Sequence, residues 1–251
     1  MNKFIVGILL ILAGGFMGAC DKAEDKVEDK IEEPVFSHAA FDAMLSQHVN
    51  AVGDVDYMAF LDDTTDLKDY LDYLSENEPE TTWSNDKKMA YWINLYNAFT
   101  IYNILIEYPV NSILDIEGGM IWTQRLAMVG DSSYTLDQIE KERLLATYNE
   151  PRVHFAVNCA AASCPPLLNK AWTEANIQQY YTSTTNSFIN NTDYNYISMD
   201  SISVSKVFDW YAADFGGANN IVDYFQQYAD STISDSAVVT YQMYDWDLNA
   251  Q

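Results

Sequence analysis

His154, Cys159 and Cys164 stand five residues apart in the run Val153-His154-Phe155-Ala156-Val157-Asn158-Cys159-Ala160-Ala161-Ala162-Ser163-Cys164-Pro165-Pro166. A thiol attacks as its thiolate, and a nearby base or a helix N-terminus favours that form. The Pro-Pro pair after Cys164 suits a helix start, which would place Cys164 at a helix N-terminus. Val153 to Val157 reads as a short buried strand of period two, which puts His154 and Asn158 on one face. Glu140, or one of the amides Asn94 and Asn97, would supply a third group to orient the ring. The chemistry this supports is acyl transfer or hydrolysis, by chemical analogy with papain-like and transglutaminase-like enzymes. Metal binding is not expected, because His-x4-Cys-x4-Cys has no recognisable fourth ligand. His38 and His48, ten apart on a helix, do not form a pair at ligand spacing. No cofactor is expected either.

A second reading of the same residues is structural, and it follows from the N-terminus. Lys3 precedes the apolar run Phe4 to Leu12, and Gly18-Ala19-Cys20 closes the segment. This is the pattern of a secretory signal, too short and Gly-rich for a stable membrane-spanning helix. Gly-Ala before Cys resembles the bacterial lipobox. That resemblance implies cleavage after residue 19, acylation of Cys20 and a lipid-anchored protein of the bacterial cell envelope facing the periplasm. Asp21 slightly favours the inner membrane. Residues 20–34 form a lipidated, charged tether of low complexity. With Cys20 acylated, Cys159 and Cys164 remain as an even pair in an oxidising compartment, which invites a Cys159–Cys164 disulfide. His154 would then be a buried, hydrogen-bonded ring. The chain carries 13 Lys and Arg against 37 Asp and Glu, a net charge of −24. So acidic a surface repels phosphate backbones and anionic headgroups, which excludes nucleic-acid binding and basic-face membrane binding. The membrane is expected as a partner only through the N-terminal lipid. A protein or cell-wall partner stays unidentified.

The elements that must position these residues follow from periodicity. Helical spacing runs from Phe36 to Val49 and again over Leu67 to Leu74. The strongest element starts at the caps Ser84-Asn85-Asp86, is apolar on all sides from Met89 to Ile106, and stops at Tyr108 before Pro109. It reads as the central buried helix. Asn94, Asn97 and Asn103 inside it argue against a membrane span. Asn94 and Asn97 share a face and either clamp an irregular loop, such as 158–164, or donate to an oxyanion. Met120 to Val129 reads as a strand, Gly130-Asp131 as a turn and Ser133 to Thr135 as its return. Thr135 to Gln138 resembles a capping box opening a helix through Tyr148. Helices are expected over Trp172–Ile189, Lys206–Phe215 and Asn220–Tyr228. Strands are expected over Tyr194–Val204, Ala237–Gln242 and Tyr244–Asn249. The fold class is α+β: one helix-rich domain with a central buried helix and a small, mostly antiparallel sheet.

Several motifs resemble one family. They are His-x4-Cys-x4-Cys-Pro-Pro-Leu, Ala90-Tyr91-Trp92-Ile93-Asn94-Leu95-Tyr96-Asn97-Ala98-Phe99-Thr100, and Leu136-Asp137-Gln138-Ile139-Glu140. Phe208-Asp209-Trp210-Tyr211 with Asp214-Phe215, and the terminal Tyr-Asp-Trp-x-Leu-Asn, join them. Together they resemble the domain-of-unknown-function 547 (DUF547) family. The resemblance implies such a domain over residues 35–251, and implies no assigned activity. Lys141 stands where the family commonly has a histidine. Two functions therefore stay open. One is a binding or scaffold module held by an oxidised cysteine pair. The other is a thiol-dependent acyl hydrolase or transferase using Cys159 or Cys164 with His154.

Overall fold

A computed structural model of the chain describes residues 35–251. The expected signal, Cys20 and the charged tether lie outside the described residues. The architecture is built around one helix. Ser84 Oγ accepts from the Lys87 N–H and caps α4, Asn85–Glu107, which ends at Tyr108 where Pro109 blocks helical geometry. From Met89 to Ile101 every residue of α4 is buried. A helix apolar all round needs cover on every side. The cover begins with α1 (Ala39–His48), α2 (Tyr57–Phe60) and α3 (Thr64–Glu76), which pack onto it. No described helix is long and apolar enough to cross a membrane.

After α4 the chain turns through left-handed backbone at Glu117, Gly118 and Gly119 into α5, Ile121–Gln124. The expected strand over Met120–Val129 is therefore shorter, because its first half is wound: Met120 C=O accepts from the N–H groups of Thr123 and Gln124. Only β1, Ala127–Val129, remains, paired antiparallel with β2, Ser132–Tyr134, across the expected turn at Gly130. The capping box at Thr135 is present: Thr135 and Gln138 satisfy each other's backbone donors. It opens α6, Leu136–Gln138, which continues as a π-helical stretch over Ile139–Leu145 into α7, Ala146–Tyr148.

Further segments differ from the sequence reading, and the strand expected over Tyr244–Asn249 makes only isolated bridges, at Asp247 and Leu248. Val153–Val157 is not a strand; Pro151–Phe155 is a 3-10 helix with Pro at its first turn and Glu150 accepting from the Arg152 N–H. A five-residue apolar run carries too few periods to tell the two apart, and the Pro-initiated cap decides it. No helix begins at Pro165-Pro166. A residue preceding proline is pushed out of the helical region, and here both Cys164 and Pro165 precede one. The next helix, α8, spans Ile177–Asn190 and starts later than Trp172, because Asn94 pins the Trp172 backbone and Thr173 and Asn176 cap the turn between.

The remaining elements form a second layer. β3 (Tyr196–Ile197) and β4 (Ser201–Val204) are a hairpin where one strand was expected over Tyr194–Val204. Short α9 (Val207–Trp210) and α10 (Ile221–Gln226) follow, and β5 (Val238–Tyr241) returns parallel to β4. Phe155, Phe188, Phe208, Phe215 and Phe225 fill the core of this layer, separate from the core around α4. The 3-10 helix joins the two: Val153 belongs to the first core and Phe155 to the second. Helices dominate, and two of the three strand pairings are antiparallel. The class is α+β, as expected.

Candidate functional site

His154 lies between the two residues that bridge the cores, and its own ring is 3% exposed. Its Nε2 is 2.8 Å from Oδ2 of Asp214, and its Nδ1 is 3.8 Å from Oε1 of Glu140. Tyr211 packs on the ring with centroids 4.1 Å apart. Glu140 comes from the π-helical stretch, a form of local helix irregularity often found at functional sites. Burial raises the Glu140 carboxyl above its ordinary value, partly offset by His154 and a hydrogen bond from Tyr211. Burial and the Glu140 charge in turn hold the Tyr211 hydroxyl protonated. Asp214 thus orients the imidazole through a hydrogen bond to Nε2, and Glu140 faces its other nitrogen across 3.8 Å.

The loop 158–165 carries the thiols, and three sets of bonds fix its shape. From α4, Asn97 donates to the Ala156 C=O and accepts from the Asn158 N–H, at 2.9 and 2.8 Å. The Asn158 side chain closes the loop on itself, donating to the Pro165 C=O and accepting from the Ala160 N–H. The C-terminal segment holds the far side: Ala162 and Ser163 donate to the Asp247 and Asp245 carbonyls, and Asn249 N–H donates to the Ala160 C=O. Ala160 sits in left-handed backbone at φ 62°. That conformation costs a non-glycine residue about 1–2 kcal/mol, and this network supplies it.

Within this frame the two thiols differ. Cys159 is half-buried; its Sγ lies 3.2 Å from the Tyr244 hydroxyl, and its N–H donates to Cys164 Sγ at 2.9 Å. Hydrogen bonding from Cys164, then from Tyr244 and the Ala161 backbone, lowers the Cys159 thiol against the opposing effect of burial. Cys164 is buried, and burial together with the neighbouring Cys159 sulfur pushes its thiol well up. The helix N-terminus expected to activate Cys164 is absent, and of the two thiols left open by the sequence Cys159 is the one shifted toward its thiolate. The expected Cys159–Cys164 disulfide is not present either. Both are free thiols, with Cys164 Sγ serving as an acceptor for the loop's backbone.

Glu140, His154, Cys159 and Cys164 all line one cleft of about 420 Å³. Its floor is Tyr96 and Val157, and its outer wall is aromatic: Trp122, Trp210, Tyr244 and Trp246. Two expected site residues do not reach it. Asn158 is spent inside the loop, and its oxygen also accepts from Asn249. Asn94 bonds both backbone groups of Trp172. The interior amides are clamps: Asn97 holds the 158–164 loop, and Asn94 holds the approach to α8. The strand-face pairing of His154 with Asn158 falls with the strand. Sequence reasoning assigned no role to Asp214, Tyr211 or Tyr244. Their motifs were visible, but no local pattern ties residue 214 or 244 to residue 154 or 159. Among the described residues, no group of three or more His, Cys, Asp or Glu is arranged to hold a metal ion.

Residues 81–189 match a protein family described as "Protein of unknown function, DUF547". The matched stretch runs from the cap of α4 to the end of α8 and includes Glu140, His154 and both thiols, whereas Asp214 and Tyr244 lie beyond it. No curated protein and no solved structure matches the chain.

Proposed function

We propose that the cleft is a thiol active site for acyl transfer or hydrolysis, with Cys159 as nucleophile and His154 as proton carrier. The observation that carries this reading is the convergence on one cleft of a partly buried thiol, lowered from its ordinary pKa by hydrogen bonding, and a histidine oriented by Asp214. In the first step the Cys159 thiolate adds to a substrate carbonyl. The bond to the leaving group breaks, and the leaving group departs with a proton from His154. In the second step water or an amine adds to the thioester carbonyl and gives its proton to His154. The carbon–sulfur bond breaks, and the thiolate is restored. Asp214 holds the ring through Nε2 in both steps and leaves Nδ1 to carry the proton, and the buried Cys164 and Tyr244 stabilise the thiolate between them.

The test is alkylation by iodoacetamide across a pH series without reductant and, on a separate untreated sample, reaction with p-nitrophenyl acetate, both read by mass spectrometry. Cys159 is expected to alkylate first, with an inflection below that of an ordinary thiol. In the unalkylated sample it is expected to accept one acetyl group from the ester, and His154→Ala should slow the acetylation at least tenfold. A chain two hydrogens lighter than its reduced form and inert to alkylation would overturn the proposal. That result would favour the binding module with an oxidised pair.

We also propose that the protein is lipid-anchored through Cys20 in the bacterial cell envelope. The lipobox-like Gly18-Ala19-Cys20, the charged run 21–34 and the apolar segment before them support it. Cys20→Ser is expected to move the protein out of the membrane fraction. A variant that is cleaved normally and still sediments with membranes would refute the anchor.

A further inference from the structure

The outer wall of the cleft is a continuous aromatic surface. Trp210 and Trp246 stack with centroids 5.8 Å apart, Tyr244 lies 4.8 Å from Trp210 and 4.6 Å from Trp246, and Trp122 meets Trp246 edge-on at 5.9 Å. Two features make this more than core packing. Trp210 is 47% exposed although it is a large aromatic side chain within this cluster. Tyr244 also touches the Cys159 sulfur, so the wall ends at the proposed nucleophile.

The charge around the cleft is predominantly negative. Asp137 and Glu140 line it, and Asp214 stands behind His154. Neither Lys nor Arg lines it, and its one basic side chain, His154, lies between Glu140 and Asp214. Lys141 pairs with Asp137 at 2.8 Å from outside the cleft and offsets one of the three. A thiolate at Cys159 adds further negative charge. Aromatic faces attract cations through their quadrupoles, most strongly where the cation is partly desolvated. An acidic cleft inside a chain of net charge −24 concentrates cations and excludes anions.

We propose that the cleft takes a substrate bearing an alkylammonium group, seated on the Trp210–Tyr244–Trp246 wall with its acyl or amine end toward Cys159. That this ligand is a substrate rests on the thiol reading above; that it binds does not. The test therefore uses full-length Cys159→Ser, in which the proposed chemistry is off and the wall is intact. Choline is the probe and 3,3-dimethylbutan-1-ol its uncharged isostere; glucose is a third arm. Tryptophan fluorescence is titrated with each.

Saturable quenching by choline is expected, with the uncharged isostere at least tenfold weaker. Trp210→Ala, a change at a half-exposed position, should weaken choline at least fivefold, while Trp210→Phe should restore most of the affinity. Equal affinity for choline and its isostere would overturn the proposal, because the charge would then contribute nothing. Saturable binding of glucose alone would also overturn it and assign the wall to carbohydrate. If choline binds as expected but wild type is never acetylated, the ligand class stands and the acyl-transfer reading falls.

Discussion

At the scale of single residues, Glu140 shows how the site trades stability for chemistry. A carboxyl buried between Tyr211 and His154 is harder to ionise than the same group in the unfolded chain, so its folded pKa lies above the ordinary 4.5. Between the two values the native state holds more protons than the unfolded state, so stability falls as pH rises through that window. Below pH 4.5 the group is protonated in both states and costs nothing. Glu140→Gln keeps the shape and the acceptor for Tyr211 but cannot ionise. Its thermal midpoint is expected to match wild type near pH 4, to exceed it increasingly as pH rises through the window between the unfolded and folded values, and to keep a constant lead above it. Thermal melts of both proteins across that range measure the gap. A variant less stable than wild type at every pH would mean that the charge, held by His154, is a net support for the fold.

At the scale of elements, the site is a loop pinned to a helix, and the two asparagines of α4 separate positioning from packing. Asn97→Ala leaves the Ala156 carbonyl and the Asn158 N–H buried without partners. Asn94→Ala does the same to both backbone groups of Trp172. Each is expected to cost roughly 3 kcal/mol, as two buried groups lose their bonds. Only Asn97→Ala should also lower the alkylation rate of Cys159, since only Asn97 sets the loop that aims this thiol. Denaturant melts and iodoacetamide kinetics on both variants test this, and equal thiol rates would show that the loop holds its shape without α4. The same helix explains what the sequence could disclose. Its caps, its length and its all-round apolarity were legible because each is a local pattern over many residues. Thr135 to Gln138 was legible for the same reason. The segment 151–166 was not legible, because short apolar runs carry no clear period and its three prolines, Pro151, Pro165 and Pro166, outweigh them. Gathering His154, Glu140 and the cysteines into one candidate set was possible from residue type. Asp214 and Tyr244 could not be placed, because only the tertiary fold brings residue 214 to 154 and residue 244 to 159.

At the scale of the whole molecule, charge imbalance is the dominant electrostatic fact. Thirteen Lys and Arg side chains cannot pair one-to-one with more than about a third of 37 carboxylates, however they are arranged. Several of the pairs that do form are exposed: Lys68–Asp72, Lys141–Asp137 and Lys170–Asp42 each have a side chain about half accessible. Such pairs contribute little to stability. The unpaired acids repel one another across the folded surface more than in the expanded unfolded chain. Added salt shortens the range of that repulsion, to about 10 Å at 0.1 M and 8 Å at 0.15 M. The thermal midpoint is therefore expected to rise as sodium chloride goes from about 10 to 150 mM, and then to flatten once neighbouring acids lie a screening length apart. The Arg125–Glu107 contact works the other way, because screening weakens an attraction, but it is one contact against roughly twenty acids in excess of the basic side chains among the described residues. Scanning calorimetry over that salt range decides the balance. A midpoint that falls with salt would mean that attractive contacts like this one, and not net repulsion, set the stability of the fold.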